Sequence, residues 1–320
     1  MKYLFIFSSM AGKGNFDSYE HAIKQTWSAL ARDDYEIYRT KNAQDITNVC
    51  KEFSLRYQEE GCVYICGGDG SFSEAANALA HSNTALGFIP AGTANDFSRT
   101  LYSGFRANPD NLYQTVKKLI TKSPNPQFSY LDLLSFTINS DSSKKHYSLN
   151  VLSFGADSKI LKDCYEYMEA NPESTGNKAY AYAVQKNIFA KKSYAARISI
   201  QTNDNTQTLD DAFTLAVFCN GAFYGNGFNP SPMANPQDGC FEFIGAKELS
   251  LYKFVPLISK YKKGLHLDSP SVYFYPMLSK AHIEIQGEKS AIANYDGTLF
   301  SFNSLDIELD ANALRWAQLT

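Results

Sequence analysis

One short stretch limits the fold of this chain more than any other. An apolar run, Cys62-Val63-Tyr64-Ile65-Cys66, leads into Gly67-Gly68-Asp69-Gly70-Ser71 and then into Phe72–Ala80, whose spacing is helical. A buried strand, a glycine loop and a helix in direct succession form the repeating unit of a parallel α/β sheet. Such a loop brings backbone N–H groups close to a phosphate at the positive end of the helix. Asp69 changes the chemistry. A carboxylate beside a polyphosphate repels it unless a divalent cation intervenes or the carboxylate accepts a proton from an incoming hydroxyl. The same five residues also make a good turn, since glycine supplies positive φ and Asp tolerates left-handed backbone. The surroundings must decide between the two.

Those surroundings alternate strand and helix. Tyr3–Phe7 reads as a strand, followed by a loop through Gly12-Lys13-Gly14 and a helical pattern over Tyr19–Ala31. Tyr35–Arg39 is a strand ending in Thr40, Asn42–Glu59 a helix, and Leu86–Ile89 a strand opening into Pro90-Ala91-Gly92-Thr93-Ala94-Asn95-Asp96-Phe97-Ser98-Arg99. This order predicts a doubly wound, Rossmann-like parallel sheet with its loops gathered at the C-terminal ends of the strands, where ligands of such sheets bind.

The pattern changes after Ser123-Pro124-Asn125-Pro126. Strand-like segments follow at Phe128–Leu134, His146–Phe154, Ala195–Gln201, Ala212–Cys219, Cys240–Gly245, Ala281–Ile285 and Phe300–Glu308, with helical pieces at Ala179–Ala190 and near Tyr252–Lys263. The expectation is a nucleotide-binding α/β domain over 1–126 and a mainly antiparallel β-sandwich over 127–308 for substrate and metal, with about 309–320 packing back on the first. A length of 320 residues agrees with two domains.

Composition removes several function classes. Hydrophobic residues make up 44% and charged residues 20%, with a net charge of −3, so the basic footprint of a nucleic-acid binder is missing. The six cysteines form no CxxC pair and read as buried thiols of a reducing compartment. The five histidines are scattered and suggest no zinc site. Met1–Phe7 is too short an apolar stretch for a leader, and no run is long enough to span a bilayer, so the expectation is a cytoplasmic protein that meets the membrane only at its periphery.

Two strand–glycine-loop–helix units on one predicted sheet edge are far more specific than either alone. Together they resemble the diacylglycerol kinase catalytic-domain family, which includes soluble bacterial lipid kinases and the sphingosine and ceramide kinases. The resemblance continues through Tyr130-Leu131-Asp132, Asn150 with Ser153-Phe154-Gly155-Ala156-Asp157, Asn220-Gly221, Tyr224-Gly225-Asn226-Gly227, Ala234-Asn235-Pro236-Gln237-Asp238-Gly239 and Tyr295-Asp296-Gly297-Thr298, nearly the whole chain. It implies an ATP-dependent kinase of a lipid hydroxyl such as that of diacylglycerol, with ATP between the domains. Gly67, Gly68, Gly70 and Ser71, with Thr40, Gly92 and Thr93, would hold the nucleotide phosphates, and Lys13 would lie nearby. Asp69 would contact the metal–water network or the acceptor hydroxyl, while Asn95 and Asp96 brace the second loop. Asp238, with the backbone carbonyls near Asn235 and Cys240, would bind Mg²⁺ in the second domain. Asp296 belongs to the family's late Asp-Gly-Glu. The implied partners are a lipid substrate met by transient peripheral contact with a membrane, no nucleic acid, and a second copy of the chain in a homodimer.

Three departures qualify the match. Ser8-Ser9 stands where many relatives carry Asn-Pro, and Ser71 replaces the commoner Thr while keeping its hydroxyl. Thr298 occupies the position of a glutamate proposed as general base in bacterial members, and a threonine hydroxyl cannot take a proton unaided at neutral pH. Asp69 or Asp296 is left to serve. The alternatives are an NAD kinase-like small-molecule kinase and a nucleotide-binding pseudoenzyme or regulator. Two basic clusters, Lys260, Lys262 and Lys263, and Lys186, Lys191 and Lys192, read either as solvated helix faces or as surfaces for anionic lipid.

Overall fold

The computed structural model describes residues 1–9, 16–42, 44–102, 109–187, 193–202, 205–249, 251–287 and 290–319. The chain forms two compact units: Met1–Leu133 with Gly225–Gly227 and Ala311–Thr320, and Leu134–Tyr224 with Phe228–Asp310. The first boundary therefore falls seven residues later than 126, and three residues of a glycine-rich loop join the first unit.

The first unit is a parallel sheet in the order β4 (Ala85–Pro90), β3 (Gly61–Gly67), β1 (Lys2–Phe7), β2 (Tyr35–Arg39). Every residue of β3 and β4 is buried, as expected of strands covered on both faces. Helices α1 (Phe16–Ala29), α2 (Asp45–Tyr57) and α3 (Asp69–Leu79) follow β1, β2 and β3 in turn. α1 buries Tyr19, Ala22, Ile23 and Trp27, a stripe at helical spacing, and Trp27 meets Phe5 edge-on at 5.2 Å. Gly87 of β4 is glycine for a packing reason: a Cβ there would lie 2.3 Å from the ring of Tyr64. The second glycine loop opens into the helix expected after it, α4 (Asp96–Leu101), and a further helix, α5 (Pro109–Lys122), goes beyond the sequence expectation. After β5 (Gln127–Ile138), the far end of the last strand, β14 (Ser304–Gln318), returns to this unit and pairs Trp316 with Leu86 in parallel. Trp316 also packs against Phe72 and Tyr102.

The second unit is built on antiparallel pairs. It contains β6 (His146–Ser148), β7 (Val151–Gly155), α6 (Ala156–Ala170), α7 (Gly176–Asn187), β8 (Tyr194–Thr202), β9 (Thr206–Cys219), β10 (Phe241–Lys247), α8 (Leu251–Lys262), β11 (Val272–Ile285), β12 (Ala291–Tyr295) and β13 (Thr298–Phe302). The long strands β9 and β11 each serve two ladders: β9 pairs β8 through its first half and β7 and β10 through its second, while β11 passes from β10 to β8 and β14. Their inward side chains form one core, with Ile198, Phe213, Phe218, Phe243, Ile283, Phe302 and Ile307 all buried. Along β8 the buried residues Ala196, Ile198 and Ile200 alternate with more exposed ones, the period of a half-buried strand.

Three expectations need correction. The strand expected over His146–Phe154 is two strands, broken at Leu149-Asn150, and Phe300–Glu308 is likewise split at Asn303. The chain after Gly155 forms the unforeseen helix α6; Gly155 has φ +118°, and a Cβ there would lie 2.4 Å from the carbonyl oxygen of Thr214. Among the described residues, no helix is long and apolar enough to cross a membrane.

Candidate functional site

The two glycine loops of the first unit lie against each other. The N–H groups of Ala91 and Gly92 donate to the carbonyl of Gly67 at 2.9 and 3.0 Å. A Cβ on Gly92 would lie 2.4 Å from the α-carbon of Gly68 and 2.9 Å from its nitrogen, so a side chain there is excluded by backbone. Asn95 closes the second loop on itself, accepting from the Gly92 N–H at 3.0 Å and donating to the Gly92 carbonyl at 2.7 Å. It does so at φ +50°, a left-handed conformation that asparagine tolerates.

Asp69 joins the loops. Its two carboxylate oxygens accept from the N–H groups of Asp96 at 2.9 Å and Phe97 at 3.0 Å, the first turn of α4. A carboxylate at a helix N-terminus satisfies donors that have no partner within the helix and complements the dipole. Beside it, the first N–H groups of α3 are likewise without intrahelical acceptors by helix geometry, at the positive end of an 11-residue helix. A Cβ on Gly70 would meet nothing within 4 Å, whereas one on Gly67 would press on Ser71 and Ser8 at 3.1 to 3.2 Å. The glycines thus have different reasons: Gly92 and Gly67 for close approach, Gly70 for open space over the helix end.

That contrast gives a test. Gly92→Ala should destabilise the protein by about 1–3 kcal/mol through overpacking. Gly70→Ala should leave thermal unfolding unchanged while weakening nucleotide binding, read by calorimetric titration with ATP. A Gly92→Ala protein as stable as its parent would refute the close-approach account.

Thr40 and Asp96 complete the edge. The Thr40 hydroxyl accepts from the Ser9 N–H at 2.8 Å and lies 3.1 Å from the Ser9 hydroxyl, joining the C-terminal ends of β1 and β2. Ser9, half of the Ser8-Ser9 pair that departs from the family's Asn-Pro, thus belongs to this edge. Thr93 is exposed on the second loop. Asp96 is buried, and its carboxylate accepts from the Asn226 N–H at 2.7 Å and faces the Arg99 guanidinium at 3.7 Å. Burial pushes its carboxyl above the usual range, against the pull of those partners. Lys13 lies outside the described residues.

The remaining expected residues belong to the second unit. Asp296 and Gly297 form the two-residue turn between β12 and β13, with φ +47° and +90°. The Asp296 carboxylate accepts from the N–H groups of Leu149 (2.7 Å), Asn150 (3.0 Å) and Val151 (3.0 Å) and from the Ser148 hydroxyl (3.1 Å). Its visible task is to hold the break between β6 and β7. Thr298 opens β13 with an exposed side chain.

Asn235, Asp238 and Cys240 share one turn. The Asp238 N–H donates to the Asn235 carbonyl at 3.3 Å, and the Asp238 carboxylate accepts from the Cys240 N–H and thiol, each at 3.2 Å. Among the described residues, no three His, Cys, Asp or Glu side chains gather as a metal site. The donors expected at this turn are of another kind, one carboxylate and two backbone carbonyls. That all-oxygen set fits a hard divalent cation. A second carboxyl lies close: Glu242, buried and bonded to Ser231, is pushed up to about 7 by its burial and in part by Asp238.

A polar network in the second unit joins Ser153, Asp157 and Tyr224, from two of the sequence motifs, to Ser158, Tyr261 and Asn294, which no motif includes. Asn294 donates to the hydroxyls of Ser153 (2.8 Å) and Ser158 (2.9 Å), and Ser153 donates to Asp157 at 2.6 Å. Tyr224 also donates to Asp157, at 3.2 Å, and lies 3.0 Å from the Tyr261 hydroxyl. Burial pushes the Asp157 carboxyl up. The residues come from β7, α6, β12, α8 and a loop, so spacing along the chain carries no signal for them.

A parallel α/β unit with paired glycine loops, together with an antiparallel sandwich, is the fold class of diacylglycerol kinase-type proteins. A model of the diacylglycerol kinase catalytic domain matches residues 2–126, and a model of the YegS C-terminal NAD kinase beta sandwich-like domain matches residues 150–317. The chain belongs to the diacylglycerol kinase catalytic-domain family, with a YegS-type second domain. It is 28% identical over 213 residues to a Bacillus subtilis (strain 168) protein named "Putative lipid kinase YtlR", a match covering 66% of each chain. A Staphylococcus aureus (strain Mu3 / ATCC 700698) protein named "Putative lipid kinase" is 22% identical over 283 residues, 87% of this chain and 85% of that one. The crystal structure of a diacylglycerol kinase from Bacillus anthracis str. Sterne shares the fold, with a TM-score of 0.69 at 23% identity, covering 99% of this chain and 96% of that one.

Proposed function

We propose that this protein is an ATP-dependent lipid kinase that transfers the γ-phosphate of ATP to a hydroxyl of a lipid acceptor such as diacylglycerol. The observation that carries the reading is the pair of touching glycine loops, with the Asp69 carboxylate set beside the N-terminus of α3. In this reading the α3 N-terminal N–H groups, with Ser71, Thr93 and Thr40, hold the phosphates. Asp69 takes the proton of the acceptor hydroxyl as its oxygen bonds to the γ-phosphorus and ADP leaves. A positioned base contributes about 10²–10⁴-fold, and phosphoryl transfer depends more on placement and charge neutralisation. Mg²⁺ would neutralise charge when bound. Asp238, with the carbonyls of Asn235 and Cys240, is the set of this chain suited to hold such a cation in the second unit.

Two observations favour Asp69 over the late turn as the proton acceptor. Thr298 offers no carboxylate, and Asp296 already accepts four hydrogen bonds. Incubation with labelled ATP and Mg²⁺ against diacylglycerol, phosphatidylglycerol, sphingosine, NAD and fructose 6-phosphate tests the reading. Label should appear on diacylglycerol. Label on NAD would make the protein a small-molecule kinase, and ATP binding without turnover on any acceptor would make it a nucleotide-binding regulator.

A further inference from the structure

Two loops of the second unit end in large apolar side chains held out in water. Met233 is 81% exposed and Leu265 68%. The loops touch: a Cβ on Gly264 would lie 2.6 Å from Pro232 Cγ and 3.1 Å from Asn229 Nδ2. Met233 and Leu265 each directly follow one of these contacting residues in the chain.

Both tips stand on a firm base. Gly264, at φ +70°, ends α8, with its N–H donating to the Tyr261 carbonyl at 3.2 Å and the Leu265 N–H to the Lys260 carbonyl at 2.9 Å. A left-handed closure of this kind stops a helix and turns the next side chain away from it. Beneath, Tyr261 and Ala234 are buried in one apolar cluster, and the buried His266 ring lies 4.6 Å from that of Tyr261. Exposing two large apolar side chains on anchored, adjoining loops costs solvation without any return in folding.

The charge around the tips is mainly positive. Lys260, Lys262 and Lys263 are exposed, Lys262 with its ammonium 5.5 Å from the ring of Phe228, while Asp238 and Asp268 are the exposed acids of the same loops. Ile258, four residues before Lys262 and so on the same helix face, adds a further part-exposed apolar side chain. The other basic cluster is less suited, because Lys186 is paired with Asp163 at 2.5 Å and Lys191 and Lys192 lie outside the described residues.

We propose that Met233 and Leu265, with Lys260, Lys262 and Lys263, form the surface by which the protein seats on a bilayer containing anionic phospholipid. This rests on the lipid-kinase reading, since an enzyme whose acceptor stays in the membrane must come to it. Apolar tips enter the headgroup region while lysines meet the negative surface potential.

The test is co-sedimentation of the full chain with acceptor-free vesicles of phosphatidylcholine, with and without phosphatidylglycerol. The chain should bind when phosphatidylglycerol is present and lose binding as salt is raised. Met233→Ser with Leu265→Ser should weaken partitioning by about tenfold. Lys260→Gln, Lys262→Gln and Lys263→Gln together should weaken it on the order of 100-fold. Lys117→Gln with Lys118→Gln, exposed lysines of α5, should change nothing. Patch variants that partition like the parent, an equal loss in the α5 variant, or indifference to phosphatidylglycerol would each overturn the proposal. So would a patch variant whose sole effect is to split a dimer, which would make the surface an interface between copies. Phosphorylation of a short-chain, monomeric diacylglycerol separates the two readings. Retained transfer with lost vesicle binding supports docking, and no transfer by the parent sinks the kinase reading whatever the vesicles show.

Discussion

Asp69→Ala should lower phosphoryl transfer by about 10³-fold, the span of a positioned proton acceptor. It should also cost about 1–2 kcal/mol of stability, because both carboxylate oxygens cap the first turn of α4. The two effects are separable. Asp69→Asn keeps one acceptor oxygen for that turn, so it should unfold close to the parent while losing as much rate as the alanine variant. Initial rates with saturating ATP, set beside thermal unfolding of each variant, make the comparison. An asparagine variant that keeps its rate within about tenfold would show that Asp69 acts through the loop alone and that the proton goes elsewhere.

The second large effect is on folding. Asp296→Ala removes the acceptor of four hydrogen bonds and leaves the N–H groups of Leu149, Asn150 and Val151 unanswered in a segment that is 2–7% exposed. Each buried donor left without a partner costs about 1–3 kcal/mol, so the loss should reach about 4 kcal/mol or more. Asp296→Asn, which keeps one acceptor oxygen and suits the left-handed backbone at φ +47°, should cost less than half as much. Urea unfolding followed by tyrosine fluorescence reads both. If Asp296→Ala unfolds like the parent yet loses transfer, the residue works in the reaction and the structural account fails.

Much of the fold was legible because its signals are local. The continuous apolar runs at Cys62–Cys66 and Leu86–Ile89 can be satisfied only by burial on both faces, and both strands are buried throughout. Glycines directly after such strands mark the loops at the sheet's C-terminal edge. The unforeseen helices carry local signals too. α5 starts at Pro109, a residue suited to the first helical position, and buries Val116, Leu119 and Ile120 at helical spacing. Ile160, Cys164, Tyr167 and Met168 form a similar stripe on α6.

What stayed illegible depends on partners far away in the chain. His146–Phe154 alternates well enough for one strand, and the break at Leu149-Asn150 exists because a carboxylate 147 and 146 residues later takes their N–H groups. Gly87 is glycine because of the Tyr64 ring on the neighbouring strand. The Asp157 network joins residues up to 141 positions apart, counting Asn294 to Ser153.

Gly67–Ser71 shows the division most clearly. The amino-acid sequence alone determined that a strand ends there, a helix begins, and a carboxylate stands among glycines, since hydrophobic period and glycine's freedom act over a few residues. The tertiary structure alone decided that Gly92 closes on Gly68 and that Asp69 reaches 27 and 28 residues along the chain to cap α4. Hydrogen-bond partners of this kind are chosen by geometry in space, and periodicity along the chain carries no record of them.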